Sequence, residues 1–574
     1  MRARTMIAAV LALAAAPAAV AQYPWPSKVD LRFDHWYDYQ EMTQALHDLA
    51  EAYPELVTLR SIGKSVAERD IWLVTINNAK TGPDTQKTAI FIDGNIHGNE
   101  IQAAETVLYT AWYLTKSYGR IEKLTKLIDE RAFYLVPMEN PDGRDTWFNQ
   151  PATPHYLRGG VKPTDNDYDG LYDEDPPDDL DGDGHITRMW KQDPLGRYER
   201  DPDDDRFFRR VDNDKPPGGW TPVGQEGIDN DGDGQINEDG PGGYDPNRNW
   251  PSDWQPNYIQ FGAGDYPFSL PETRAIGEFV LAHPNIAAYQ SYHNAGGMIL
   301  RGPGAPYVKY AGGDIRVFKE IQETGEALLP FYDAMVIHSD LYVVHGGEAT
   351  WAYEALGIIS LTNELWTDKR MYATDERLST EQRRKFRDLL QFADVYVPYH
   401  EFDHPTLGKI LIGGTKKYSS RVTPPWMLEE GCHRNFAFTM FHADEMPMVE
   451  FGELRVKRLG SLWEITIEVK NRKIIPTILS HARQKKIGAR DVITCTPGRR
   501  AEVVASGTVP SLLPTAKLDA VERDPQRIFN DRGIPGRGSR LYRFIVSGTG
   551  SVTVEYRSEK GGTISRKVRL RKRN

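Results

Sequence analysis

The sequence predicts an α/β domain, built as a mixed sheet flanked by helices and followed by an all-β sandwich. Three observations predict it. Strand-like and helix-like segments alternate between about 35 and 400, the pattern of a sheet covered by helices. From about 441 onward only short strand patterns recur. Residues 141–270 break the rhythm with a stretch rich in Asp, Gly, Pro and Asn, too long to be an ordinary connection.

Element by element, residues 37–52 carry helical spacing at Met42, Leu46 and Leu49 and stop at Tyr53-Pro54. Residues 71–76 and 88–93 read as strands, the second a buried one, and 101–117 as a helix. A short apolar strand follows at 132–137. After the irregular stretch come a helix at 271–282, a strand at 286–293 and a helix at 315–329. Strands near 340–344 and at 357–364 precede a charged helix at 380–392. Strands at 462–469, 491–496, 501–505, 541–546, 551–556 and 563–570 make up the sandwich. The expected division is 22–405 for the α/β domain, 406–440 for a linker around Pro424-Pro425, and 441–574 for the sandwich.

Residues 1–21 read as a signal peptide. Arg2 and Arg4 precede an apolar run, and Ala19-Val20-Ala21 has the small-x-small cleavage pattern. A secreted or periplasmic location is therefore expected. No later stretch approaches the ~20 apolar residues of a membrane span.

The chain has 574 residues, 81 acidic and 70 basic, for a formal charge of −11, and 2 cysteines. Two cysteines rule out a disulfide scaffold or a multi-cysteine metal site. Whether Cys432 and Cys495 pair is open at this level. Net acidity argues against a generic nucleic-acid binder. The acidity is concentrated: residues 164–240 hold 24 acidic and 8 basic side chains, a local charge of −16.

His97-Gly98-Asn99-Glu100 follows a buried strand and precedes a helix, and a His and a Glu at that spacing can chelate one divalent ion. A catalytic zinc needs a third protein ligand and an open position. His293 closes the strand at 286–293, at the kind of strand end where open α/β sheets place their sites. Glu364 ends another buried strand, where a carboxylate is costly without a role.

These residues resemble the zinc metallocarboxypeptidases of the carboxypeptidase A and B type. His97, Glu100 and His293 match the zinc ligands. Asn140-Pro141-Asp142-Gly143 matches a characteristic turn, and Asp245-x-Asn247-Arg248-Asn249-Trp250 the substrate-carboxylate motif. The resemblance implies one catalytic Zn²⁺, with Glu364 as general base. It implies Asn247 and Arg248 as binders of a terminal carboxylate, Asp245 as the partner that orients His97, and Tyr342 as a tyrosine closing over substrate. Met189-Trp190-Lys191 stands where the family has Met-Trp-Arg. Lys191 is thereby the expected oxyanion-stabilising cation, with Arg188 close by. Asn99 replaces an arginine found in many members. Ala349, at the position that sets side-chain preference, gives no support for a basic-residue preference.

Three DxDxDG loops lie in the acidic stretch. They are Asp165, Asp167 and Asp169 with Gly170; Asp179, Asp181 and Asp183 with Gly184; and Asp229, Asp231 and Asp233 with Gly234. Oxygen ligands at positions 1, 3 and 5 and a turn glycine at 6 are how Ca²⁺ loops begin. Structural Ca²⁺ is expected there, in short loops lacking the glutamate at position 12. The implied activity is hydrolysis of the last peptide bond of a peptide or protein with a free C-terminus, with no nucleic-acid or defined protein partner. A peptidoglycan stem-peptide peptidase and a catalytically weak binding protein are the alternatives.

Overall fold

The computed structural model describes residues 25–570 apart from 167 and 514, so the expected signal peptide lies outside the described residues. Helix α1 (Tyr39–Ala52) starts at a capping box. Asp38 accepts from the Glu41 amide, and the Glu41 carboxylate accepts from the Asp38 amide. Met42, Leu46 and Leu49 form its buried stripe, as their spacing predicts.

An antiparallel pair follows, β1 (Val57–Lys64) and β2 (Asp70–Ile76). β1 is an edge strand that buries only Val57, which is why no apolar pattern announces it. Next come β3 (Thr88–Gly94), α2 (Gln102–Ser117), α3 (Glu122–Glu130), β4 (Arg131–Val136) and α4 (Pro141–Asn149). Every residue of β3 and β4 is buried, as expected for central parallel strands covered on both faces.

The irregular stretch is not devoid of structure. It contributes β5 (Arg188–Gln192), β6 (Tyr198–Arg200), β7 (Phe208–Arg210) and β8 (Trp220–Gln225). The α/β pattern then resumes through α5 (Pro271–Ala282), β9 (Ile286–Asn294), β10 (Met298–Arg301), α6 (Gly312–Leu328) and β11 (Asp333–Val336). It closes with α7 (Glu348–Leu356), β12 (Ile359–Leu365) and α8 (Thr380–Leu390). The strand expected near 340–344 is displaced. β11 ends at Val336, and 337–341 form a single π-helical turn. Leu341, Tyr342 and Val343 are exposed there, so their apolar character marks a pocket rim, not a core strand.

The main sheet runs β1-β2-β4-β3-β9-β12-β10-β11. Its centre, β4-β3-β9-β12, is parallel, and antiparallel pairs flank it, so the sheet is mixed. One apolar core packs beneath α1 and α2, and a second lies on the opposite face beneath α5 and α7.

Residues 406–440 are not a linker. β13 (Tyr396–His404) and β14 (Gly408–Thr415) join the inserted strands in a second sheet, β13-β14-β5-β8-β6-β7. Helix α9 (Leu428–Asp444) buries Leu428, Cys432, Phe436 and Met440 in the same core as α2. Pro424 and Pro425, which suggested a linker, open the short helical turn that leads into α9.

Beyond Val449 two antiparallel sheets face each other across a core that includes Trp463, Ile465, Ile493, Tyr542, Phe544, Val554 and Tyr556. Cys432 and Cys495 are both free and buried, the first in α9 and the second in this β-rich region.

The β-rich region docks on the α/β unit through named polar contacts. Buried Asp314 of α6 accepts the amides of Ser480 and His481 at 2.8 Å each and the Tyr353 hydroxyl at 2.9 Å. Asp314→Ala would orphan these buried donors at about 1–3 kcal/mol apiece. A loss of about 3 kcal/mol in chemical denaturation is the expected result, whereas Glu323→Ala on the exposed side of α6 should change little.

Candidate metal and substrate site

The site stands at the carboxyl ends of three adjacent strands. β3 leads into His97, β9 carries His293 and β12 carries Glu364, with the register setting Glu364 opposite His293. His97, Glu100 and His293 are 1–2 % exposed, and one donor atom of each lies within 4.8 Å of the others. His97 Nδ1 is 3.0 Å from Glu100 Oε1, His293 Nδ1 is 2.9 Å from Glu100 Oε2, and the two Nδ1 atoms are 3.2 Å apart.

His97 Nε2 faces Asp245 Oδ1 at 3.0 Å. When Nε2 donates its proton there, the Nδ1 lone pair points inward. Electron-pair donors therefore converge on one point, an arrangement that a cation resolves. Two imidazoles and one carboxylate are a zinc donor set that leaves a position open for water. The residues present fit the ion.

Charge is managed around these ligands. Burial alone would raise Glu100, but His97 and His293 hold it well below the ordinary carboxylate range. Burial likewise opposes ionisation of Asp245, and Arg158, Arg248 and His97 outweigh it. Glu364 is pushed up to about 7 by burial and then by Glu100.

A small cavity, open to solvent, is lined by His97, His293, Glu364, Asn247, Arg248, Tyr342 and Ala349, among others. Asn247 and Arg248 lie in the turn Pro246–Arg248, which Asp245 caps by accepting the Asn247 amide at 2.8 Å. Asn247 Oδ1 accepts the Glu348 amide at 2.9 Å, which ties the turn to the start of α7. Tyr342 is 56 % exposed at the rim, directly after the π-helical turn. Asn99 is buried and donates to Pro154 O at 3.3 Å.

Lys191 is not part of this site. It is exposed on β5, in the second sheet, and does not line the cavity. Its neighbour Trp190 stacks on Phe208 with ring centres 3.9 Å apart, so the Met-Trp-Lys match reflects packing. Arg188 is exposed on the same strand.

Sequence reasoning missed two arginines beside Glu100, one of which stands in the cavity where a cation was sought. Arg158 lines the cavity and donates to Asp245 Oδ2 at 2.9 Å and Glu100 Oε1 at 3.2 Å. Arg421 reaches Glu100 Oε1 at 3.0 Å from 321 residues away. Only the Gly159-Gly160 turn after Arg158 hinted at the first. Nothing local hinted at the second.

In the acidic stretch Asp167 lies outside the described residues. The first aspartate of each loop accepts the amide of the glycine at position 6: Gly170 to Asp165 at 3.2 Å, Gly184 to Asp179 at 2.9 Å, and Gly234 to Asp229 at 3.1 Å. Asp229, Asp231 and Asp233 bring donor atoms together. Asp179 and Asp181 do so with buried Glu226, and Asp169 does so with Glu174 and Asp231. Asp183 is not in the second group, and the groups cross between loops. The third loop gathers its own three aspartates as the sequence expects, and the other two groups do not follow the loops.

Fold and site together define a zinc-peptidase type of α/β domain. The zinc carboxypeptidase family model matches residues 42–387, and the chain belongs to that family. A second model, a domain of unknown function (DUF8731), matches residues 448–569. Carboxypeptidase D of Mus musculus is 32 % identical over 119 residues, which are 21 % of this chain and 9 % of that protein. The inactive metallocarboxypeptidase ECM14 of Saccharomyces cerevisiae is 30 % identical over 114 residues, 20 % of this chain and 26 % of that one. The matched segment thus spans a small part of these relatives. The crystal structure of thrombin activatable fibrinolysis inhibitor aligns with a TM-score of 0.45 and 17 % identity, covering 72 % of this chain and 74 % of that one.

Proposed function

We propose that this chain is an active, exported zinc carboxypeptidase that removes the C-terminal residue of peptides or proteins. The observation that carries the reading is one cavity lined by two of the candidate metal ligands, a half-buried carboxylate and an arginine beside an asparagine. Held by His97, Glu100 and His293, zinc would supply Lewis acidity and a water of lowered pKa.

The chain's own groups account for the remaining steps. Arg248, with Asn247, suits the terminal carboxylate, because a guanidinium binds it bidentately. Glu364 takes the proton of the attacking water and passes it to the leaving nitrogen. Arg158 faces the oxygen on which charge develops. Tyr342 covers the bound end. Ala349 adds no charge to the pocket, so neutral side chains fit best.

Export rests on the pattern in residues 1–21, and no described helix is long and apolar enough to cross a membrane. The glycine-to-aspartate hydrogen bonds of the acidic loops support Ca²⁺ as the ion that orders this stretch. A second reading is a non-catalytic binding protein, favoured by relatives that are themselves named inactive.

Mass-resolved release of single C-terminal residues from a peptide library, with a peptidoglycan stem peptide alongside, separates the readings. Release that stops on zinc chelation and returns with zinc is the expected outcome. Zinc-loaded protein that cleaves neither substrate would refute the enzyme reading.

A further inference from the structure

Behind the reaction site lies a second group of carboxylates. Asp93 on β3, Glu139 after β4 and Glu348 at the start of α7 each place an oxygen within 4.8 Å of the others. They are 0 %, 0 % and 1 % exposed. The Tyr289 hydroxyl lies 2.5 Å from Asp93 Oδ2 and also contacts Glu348, and Ser291 donates to Glu348 Oε2 at 2.9 Å. One phenolic proton serves one carboxylate at a time. Among the described residues, no Lys, Arg or His forms an ion pair with any of the three carboxylates.

Glu139 stands out within the group. It is fully buried and aimed into the cluster, yet no N–H or hydroxyl meets either of its oxygens, and its polar contact is with the Glu348 carboxyl. Asp93 Oδ1 is equally unpartnered. Burial and mutual repulsion push Asp93 and Glu139 well above the ordinary carboxylate range. Either protons or a cation must relieve this. Protons on the raised carboxyls would relieve the cluster only by pairing carboxyl with carboxyl, whereas one cation takes an oxygen from each of the three residues. The donors are oxygens only, which suits a hard ion and not zinc.

We propose that Asp93, Glu139 and Glu348 hold one hard divalent cation, calcium by its tolerance of irregular oxygen shells, separate from the His97–Glu100–His293 site. The position gives the ion a structural purpose. β3 runs on to His97, Glu139 precedes Asn140-Pro141, and Tyr289 and Ser291 lie on the strand that carries His293. Glu348 holds Asn247 through its amide. One ion would pin four segments that carry the reaction site.

The acidic loops must be silenced to test this. The parent is the full chain with Asp179, Asp181, Asp229, Asp231 and Asp233 changed to Asn. Calcium, magnesium and zinc per chain are counted by plasma mass spectrometry after gel filtration in metal-depleted buffer. Glu139→Gln in this parent should carry one fewer calcium or magnesium ion and the same zinc, and should melt lower in calcium buffer. Equal calcium and magnesium in parent and variant, or a higher melting temperature for the variant in calcium buffer, overturns the proposal and leaves shared protons as the answer.

Asp93→Asn is read the same way if Glu139→Gln does not fold. If neither folds, Tyr289→Phe keeps all three carboxylates. Terbium emission sensitised through Tyr289 should then fall relative to the parent, and unchanged emission overturns the site.

Discussion

Glu364→Gln should lower kcat about 10³-fold, within the ~10²–10⁴ that a positioned general base supplies, and leave zinc content untouched. The side chain keeps its volume and polarity but cannot take a proton. Because Glu364 is not one of the three converging donors, metal loss cannot explain the effect. Turnover of C-terminal residues by the zinc-counted variant is the measurement. Full turnover would sink the assignment.

The same residue fixes the direction of the pH dependence. Burial first, and Glu100 second, raise Glu364 to about 7. The base is competent only when ionised, so kcat/KM should level off above that value and fall on an acid limb below it. A cation in the neighbouring site favours the ionised form and moves this limb to lower pH. In Glu364→Gln the limb should be absent from the residual rate. An identical acid limb in variant and wild type would assign it to another group.

Much of the fold and part of the site were legible in the sequence, for a reason the residues make plain. β3, β9 and β12 are almost wholly buried and open on apolar residues, and His97, His293 and Glu364 stand at or just past their carboxyl ends. Polar residues at such places are conspicuous. β1 and β5–β8 were not legible, because edge and short strands with one wet face carry little apolar signal. Asp93, Glu139 and Glu348 escaped notice because each reads alone as an ordinary acidic residue. Only the sheet brings them together. Arg421 reaches Glu100 from a segment that composition marked as a linker, and no local pattern encodes a contact across 321 residues.

Lys191 and Arg158 make the sharpest contrast between sequence pattern and geometry, and they lead to the second large effect. Arg158→Ala should lower kcat by about 10²–10³, the usual loss when a donor aimed at developing negative charge is removed. Lys191→Ala should leave kcat unchanged, because that side chain is exposed on another sheet. Arg158 also contacts Glu100 and Asp245, so its removal could act through the metal. Zinc content, measured on the same samples, separates the two routes. Arg158→Lys should recover part of the rate, since it restores charge without the guanidinium fork. An oxyanion role appears mainly in kcat, because the charge exists only on the way to the transition state. A role in holding the substrate carboxylate would appear in KM, where Arg248→Ala is expected to act. A normal kcat in Arg158→Ala together with a collapsed kcat in Lys191→Ala would restore the sequence-based assignment. It would also require the second sheet to move toward the cavity when substrate binds.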